Sequence, residues 1–236
     1  MRIDKLISNS TPYGRKEIKN FIKKGLVTVN GKTIKDAGMH VDEKNDEITL
    51  SGEKIVYKEF VYLMLNKPAG YISATFDKHY SVVTDLVSEE FSHFDVFPVG
   101  RLDIDTVGLL ILTNDGDLAH RLLSPKSHVA KTYFVRLAKP VGEKDIQTFK
   151  NGIELEKDFT TLPATLCPLD TGENESYVTI YEGKFHQVKR MFEAVDNEVL
   201  YLKRISMGPI TLDETLEEGE IRPLTEEETE ALLSLN

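Results

Sequence analysis

Apolar runs of strand length occur at residues 60–65, 109–112, 133–137, 177–181 and 199–205. Between them lie stretches with helical character, near 81–89, 117–123, 143–150 and 185–195, and Gly152 stands where the third of these must stop. The irregular alternation of the two kinds of run predicts an α+β domain on a mainly antiparallel, mixed sheet with flanking helices. Ahead of it, residues 15–24 place Ile18, Phe21 and Ile22 on one helical face and Lys16, Lys19, Lys23 and Lys24 elsewhere, with Gly25 as a stop. A hairpin over 26–34 follows, turned by Asn30-Gly31. Residues 42–58 are charge-rich, with a short strand at 48–50 and a turn at Ser51-Gly52. A boundary between about 52 and 58 therefore separates a small domain, 1–57, from a larger one, 58–236. Thr225-Glu226-Glu227-Glu228 reads as a capping box that opens a last short helix.

With 236 residues, 40% of them hydrophobic, the chain can bury one sizeable core and still carry an accessory domain. A single cysteine, Cys167, excludes a disulfide framework or a cysteine-rich zinc site within the chain. No apolar leader follows Met1-Arg2-Ile3-Asp4 and no run reaches the length of a membrane span, so a cytoplasmic protein without membrane attachment is expected. The net charge of -10 argues against a nucleic-acid partner until its distribution is read. Residues 1–35 hold nine Lys/Arg against two Asp/Glu, whereas residues 212–236 hold one against nine. The acidic total is set largely by the tail, and the N-terminal field is positive.

Candidate chemistry concentrates in Gly100-Arg101-Leu102-Asp103-Ile104-Asp105-Thr106-Val107-Gly108. Pro98 and Gly100 punctuate the chain, so 101–105 reads as a loop, and the strand at 109–112 leads away from it until Asn114-Asp115-Gly116. A carboxylate at the mouth of a buried strand has a rigid support and a tunable pKa. The plain alternative is a loop-capping Asp and an Arg101–Asp105 ion pair.

Further stretches match a known pattern in order: Met64-Leu65-Asn66-Lys67-Pro68-Ala69-Gly70-Tyr71, Leu112-Thr113-Asn114-Asp115-Gly116, Ser124-Pro125 with Lys131-Thr132-Tyr133, Glu182-Gly183-Lys184-Phe185-His186-Gln187-Val188-Lys189-Arg190-Met191-Phe192, and Arg222-Pro223-Leu224-Thr225. Together they resemble the pseudouridine synthase family, and within it the branch that modifies small-subunit ribosomal RNA. The basic helix and hairpin at the N-terminus resemble the S-four RNA-binding module. Nearly the whole chain is covered.

The resemblance implies an isomerase that breaks the bond from ribose to a uracil nitrogen and rejoins the base through a ring carbon. No cofactor or metal is expected, because the reaction neither oxidises nor adds anything; the chain also lacks Gly-x-Gly-x-x-Gly, a P-loop and a cysteine pair. Asp103 is the implied catalytic carboxylate, acting as a nucleophile or as a base toward the ribose. Tyr133 is the implied active-site tyrosine, and Lys189 supplies the neighbouring cation. Related branches carry arginine at that position, which leaves open whether Lys189 or Arg190 pairs with Asp103. Arg101 is implied to hold the space a flipped uridine leaves. The expected RNA contacts are Arg101, Lys67, Arg190 and, on the basic helix, Arg15, Lys16, Lys19, Lys23 and Lys24, and Lys67-Pro68 is also expected to buttress the pocket and lend it positive potential. The expected partner is ribosomal RNA of the small subunit (16S), naked or in an assembly intermediate, bound by a monomer. Two rivals stand: a large-subunit (23S) target, and a noncatalytic ribosome-assembly factor.

Overall fold

A computed structural model describes residues 1–156 and 159–235. The chain forms two compact units, one comprising Met1–Val61 with Val87–Val96, the other Tyr62–Leu86 with Phe97–Asn236.

In the first unit α1 (Ile3–Ser8) and α2 (Arg15–Lys23) accompany a four-stranded antiparallel sheet of β1 (Val27–Val29), β2 (Lys32–Thr33), β3 (Ile48–Leu50) and β4 (Glu53–Ile55), in the order β2-β1-β3-β4. Both hairpin turns use positive φ at two successive residues, Asn30 and Gly31 in one and Ser51 and Gly52 in the other. That backbone twist matches the right-handed twist of the strands it joins. Ile18 and Ile22 of α2 join Ile3, Leu6, Ile7, Val27, Val29, Ile48 and Leu50 in one core, which leaves the lysines of α2 outside. The pattern did not predict α1. It is only six residues long, and its buried Asp4 breaks the apolar signature while pairing with Arg2 at 2.8 Å. The unit also includes the short α3 (Glu89–Ser92).

The second unit is built on β5 (Tyr62–Lys67), β6 (Phe97–Pro98), β7 (Val107–Thr113), β8 (Lys131–Leu137), β11 (Thr165–Pro168), β12 (Glu175–Ile180), β13 (Val199–Met207), β14 (Ile210–Thr211) and β15 (Ile221–Pro223). These nine form one sheet ordered β11-β12-β8-β13-β7-β5-β15, with β14 against β13 and β6 against β7; β9 (Glu154–Glu156) and β10 (Phe159–Thr160) pair separately. Every pairing in the large sheet is antiparallel except β7 with β13. All seven residues of β7 are buried, as a central strand covered on both faces must be. The helices are α4 (Gly116–Leu123), α5 (Glu143–Asn151), α6 (Gln187–Glu193) and α7 (Glu226–Leu233). One face of the sheet, including Leu109 and Ile111, packs on Leu118, Ala119 and Leu122 of α4 and Leu232 of α7. Thr225 and Glu228 make the expected capping box, and Arg222 ties Glu228 to Asp213.

Two helical expectations are corrected. Residues 81–89 form a 3-10 turn at Val83–Leu86 ahead of α3. Val82, Val83 and Thr84 are β-branched, and the Asp85 carboxylate takes the Val82 N–H at 2.9 Å, which draws the backbone out of a regular helix. α6 starts at Gln187, two residues later than expected, because His186 sits at φ 49. No helix among the described residues is long and apolar enough to cross a membrane.

The parallel contact between β7 and β13 depends on Gly108. It lies opposite Arg204 with φ +97, and a Cβ there would meet the Arg204 carbonyl oxygen at 2.3 Å. Gly108→Ala should therefore lower stability by about 3 kcal/mol or more, since backbone strain and a backbone clash add. Urea midpoints measure this; a change under about 0.5 kcal/mol would contradict the assignment.

Candidate active site

Asp103 lies on the loop that connects β6 to β7, and the last residue of β5 holds that loop. Lys67 is fully buried, and its ammonium donates to the carbonyls of Thr106 at 2.8 Å, Pro68 at 3.0 Å, Asp103 at 3.1 Å and Ile104 at 3.5 Å. Ser73 Oγ donates to the Leu102 carbonyl at 3.0 Å and accepts the Leu102 N–H at 2.9 Å. Gly70 N–H adds a bond to Ile104 at 2.7 Å. The loop backbone is thus tied from Leu102 to Thr106, and the Asp103 side chain keeps about a quarter of its surface exposed.

Helix α6 delivers the basic groups. Lys189 Nζ stands 3.4 Å from Asp103 Oδ2, and His186 Nε2 stands 3.6 Å from Oδ1. Closer still is Asp105, whose two oxygens accept from Lys189 at 2.6 and 2.8 Å. One ammonium is shared between two carboxylates. For Asp105 burial works against ionisation, yet the hydrogen bond and charge of Lys189 outweigh it and hold the carboxyl below its ordinary pKa. The segment entering α6 is fixed by Gln187, which accepts from Lys184 N–H at 2.9 Å and donates to Glu182 at 3.0 Å.

Asp103, Lys189 and His186 line a cleft of about 850 Å³ with Tyr133, Lys131, Ile180, Leu202, Arg204, Ile72, Leu102 and Arg101. Tyr133 is buried on β8, between Val178 of β12 and Arg204 of β13 in register. Arg101 is exposed and makes no ion pair among the described residues. Phe76 and Phe185 also line the cleft and are about three-quarters exposed; Phe185 stacks on His186 with ring centroids 3.8 Å apart. Exposed aromatic rings beside a basic cleft suit a base that has left its stack.

Asp103, Tyr133, Lys189 and Arg101 are therefore brought together around one cavity. Arg190 is not: it bonds Glu156 at 2.7 Å and the Leu155 carbonyl at 3.3 Å, since consecutive helical residues point about 100° apart. Lys67, expected as an RNA contact, instead has its ammonium sealed under the loop. Nor does Asp105 pair with Arg101; its partner is Lys189. His93, at the end of α3, has both ring nitrogens buried without a partner, and burial depresses its pKa. Arg15, Lys16, Lys19, Lys23 and Lys24 are all exposed along α2 in the other unit. Among the described residues no cluster of His, Cys, Asp or Glu is arranged to hold a metal. Sequence reasoning missed Ser73, His186, Lys131 and Arg204 as lining residues. The alternation of β8 and β13 was the available signal for the last two, because it turns both charged residues toward the buried face.

The fold and this site define a class. A model for RNA pseudouridylate synthase matches residues 61–194, and one for the S4 domain matches residues 1–48. The chain belongs to the RNA pseudouridine synthase family and carries an N-terminal S4 domain. It is 51% identical over 234 residues to the uncharacterized RNA pseudouridine synthase YtzG of Bacillus subtilis (strain 168), covering 98% of each protein. It is 40% identical over 236 residues to ribosomal small subunit pseudouridine synthase A of Haemophilus influenzae, covering 99% of this chain and all of that one. A crystal structure of a pseudouridylate synthase superposes with a TM-score of 0.69 at 39% identity, over 98% of this chain and 99% of the other.

Burial lowers the pKa of Lys67 from 10.5 to about 8, against the opposing charges of Asp105, Asp103 and Glu218. Below pH 8 both folded and unfolded chains hold the proton, and the burial penalty is fully present. Between 8 and 10.5 the unfolded chain binds more protons, so this group makes stability rise with pH. Relative to Lys67→Met, the wild type should gain stability from pH 7.5 to 9.5, as read from urea midpoints, while its turnover falls because a neutral amine has two N–H donors in place of three. A pH-independent difference between the two proteins would contradict this account.

Proposed function

We propose that this protein converts one uridine of small-subunit (16S) ribosomal RNA to pseudouridine, with Asp103 as the catalytic carboxylate. The observation that carries this reading is an Asp103 side chain on a tethered loop, within 3.4 Å of an ammonium and sharing a cleft with a buried tyrosine. The target RNA is inferred from relatives named small subunit pseudouridine synthase A. The protein acts as a monomer in the cytoplasm, on naked RNA or an assembly intermediate. Residues 1–57 serve as the RNA-binding module and 58–236 as the catalytic domain.

The target uridine flips from its stack into the cleft, where the Tyr133 ring with Leu202 and Ile180 offers a flat, largely apolar surface to the base. Arg101, at the mouth and without an ion-pair partner among the described residues, fills the space left behind. Two routes start from the ionised carboxylate: attack on the anomeric carbon, giving a glycosyl ester, or removal of the adjacent ribose proton, giving a glycal. Lys189 and His186 stand beside that carboxylate in both. Asp105, by gripping Lys189, fixes where that positive charge stands.

Asp103→Asn should abolish pseudouridine formation on small-subunit RNA in vitro and leave RNA affinity within a few-fold. Retained activity in that variant would reject the assignment. Replacing Lys16, Lys19, Lys23 and Lys24 by Gln should flatten the salt dependence of RNA binding, by about 0.7 log unit per log unit of salt for each single-strand phosphate that the protein then leaves unneutralised. An unchanged slope would mean that these side chains of α2 only face solvent.

A further inference from the structure

The floor of the cleft is basic, and the steps above leave it without a role. On the sheet face that lines the cavity, β8 presents Lys131 beside Tyr133 and β13 presents Arg204 beside Leu202. Arg204 stands opposite Tyr133 in register, so the two cations occupy adjacent strands two positions apart. Both are buried, Arg204 to 2% exposure and Lys131 to 8%. Their protein partners are carbonyls: Arg204 Nε donates to Leu109 at 2.7 Å and Lys131 Nζ to Val129 at 2.9 Å. Arg204 Nη2 is buried with no hydrogen-bond partner.

Neither cation is in a salt bridge among the described residues. The acid whose charge bears on Lys131, Glu182, already accepts hydrogen bonds from Leu162 N–H and Gln187 at one of its oxygens. Burial and the charge of Arg204 together push the Lys131 ammonium down to about 8. Two buried cations without a paired carboxylate are costly, and donors preorganised in this way are useful where negative charge develops during a reaction.

On the isomerase reading above, the reaction itself generates such a charge. When the bond from the anomeric carbon to N1 breaks, the electron pair stays with the base, and the uracil anion spreads it over N1, O2 and O4. A new bond then forms from C5 to the sugar, the C5 proton leaves, and N1 takes up a proton, so the base ends uncharged. We propose that Lys131 and Arg204 are catalytic residues that receive the carbonyl oxygens of the detached uracil anion, while Asp103 works on the sugar. The floor suits a base better than a phosphodiester, because it lies among Tyr133, Ile180 and Leu202 and is nearly closed to solvent.

Single-turnover isomerisation of small-subunit RNA, with protein in excess, tests this in Lys131→Met, Arg204→Met, Lys131→Arg and Arg204→Lys, alongside RNA affinity. The neutral substitutions should slow the rate by about 10²- to 10³-fold with affinity kept within about threefold, and the charge-keeping ones should recover at least about tenfold of that loss. A neutral variant within about threefold of the wild-type rate overturns the proposal. So does a rate loss that tracks affinity, which marks a phosphate contact, and so does an equal loss in all four variants, which marks packing. Wild-type protein that isomerises no uridine would instead remove the parent reading and, with it, this one.

Discussion

A single buried ammonium organises the site. Lys67 closes β5 and turns its charge onto carbonyls of Pro68, Asp103, Ile104 and Thr106, so the chain from Asp103 to Thr106 is pinned to the end of that strand. A cation of this kind is expensive to bury, and it persists here because oriented carbonyl dipoles supply the solvation that water would otherwise give. Ser73 and Gly70 add neutral tethers to the same loop. The carboxylate therefore rests on a rigid support while its own oxygens remain free to meet Lys189 and a substrate.

The sheet brings the remaining groups to that loop from distant parts of the chain. β7 carries the loop at its start, and its parallel contact with β13 at Gly108 sets Arg204 beside it; β8, next in order, adds Tyr133 and Lys131. Helix α6 approaches separately and supplies Lys189 and His186. The result is a cleft with an acidic side at Asp103, a basic floor and an aromatic wall.

Most regular elements were legible because they rest on local rules. The face of α2 follows from Ile18, Phe21 and Ile22, and the first hairpin from Asn30-Gly31; β7 is an apolar run that burial on both faces requires. Short edge elements such as β11, β14 and β15 were not legible, since two to four residues carry no period. In the site, Asp103 stood out through its motif and Lys67 as a buttress of the pocket. Only the fold shows the four carbonyls that converge on that lysine. Lys189 and Arg190 are adjacent and chemically alike, and only the orientation of α6 separates their partners. The sharing of Lys189 with Asp105 depends on a contact across more than eighty residues, beyond any local pattern.

The central claim is that a carboxylate held on this loop isomerises one uridine in small-subunit ribosomal RNA. Pseudouridine mapping of ribosomal RNA from cells lacking the gene, complemented with either the wild-type or the Asp103→Asn protein, tests it most directly. The account expects one small-subunit pseudouridine to disappear on deletion, to return with the wild type and to stay absent with the variant. An unchanged map, or restoration by the variant, would contradict it.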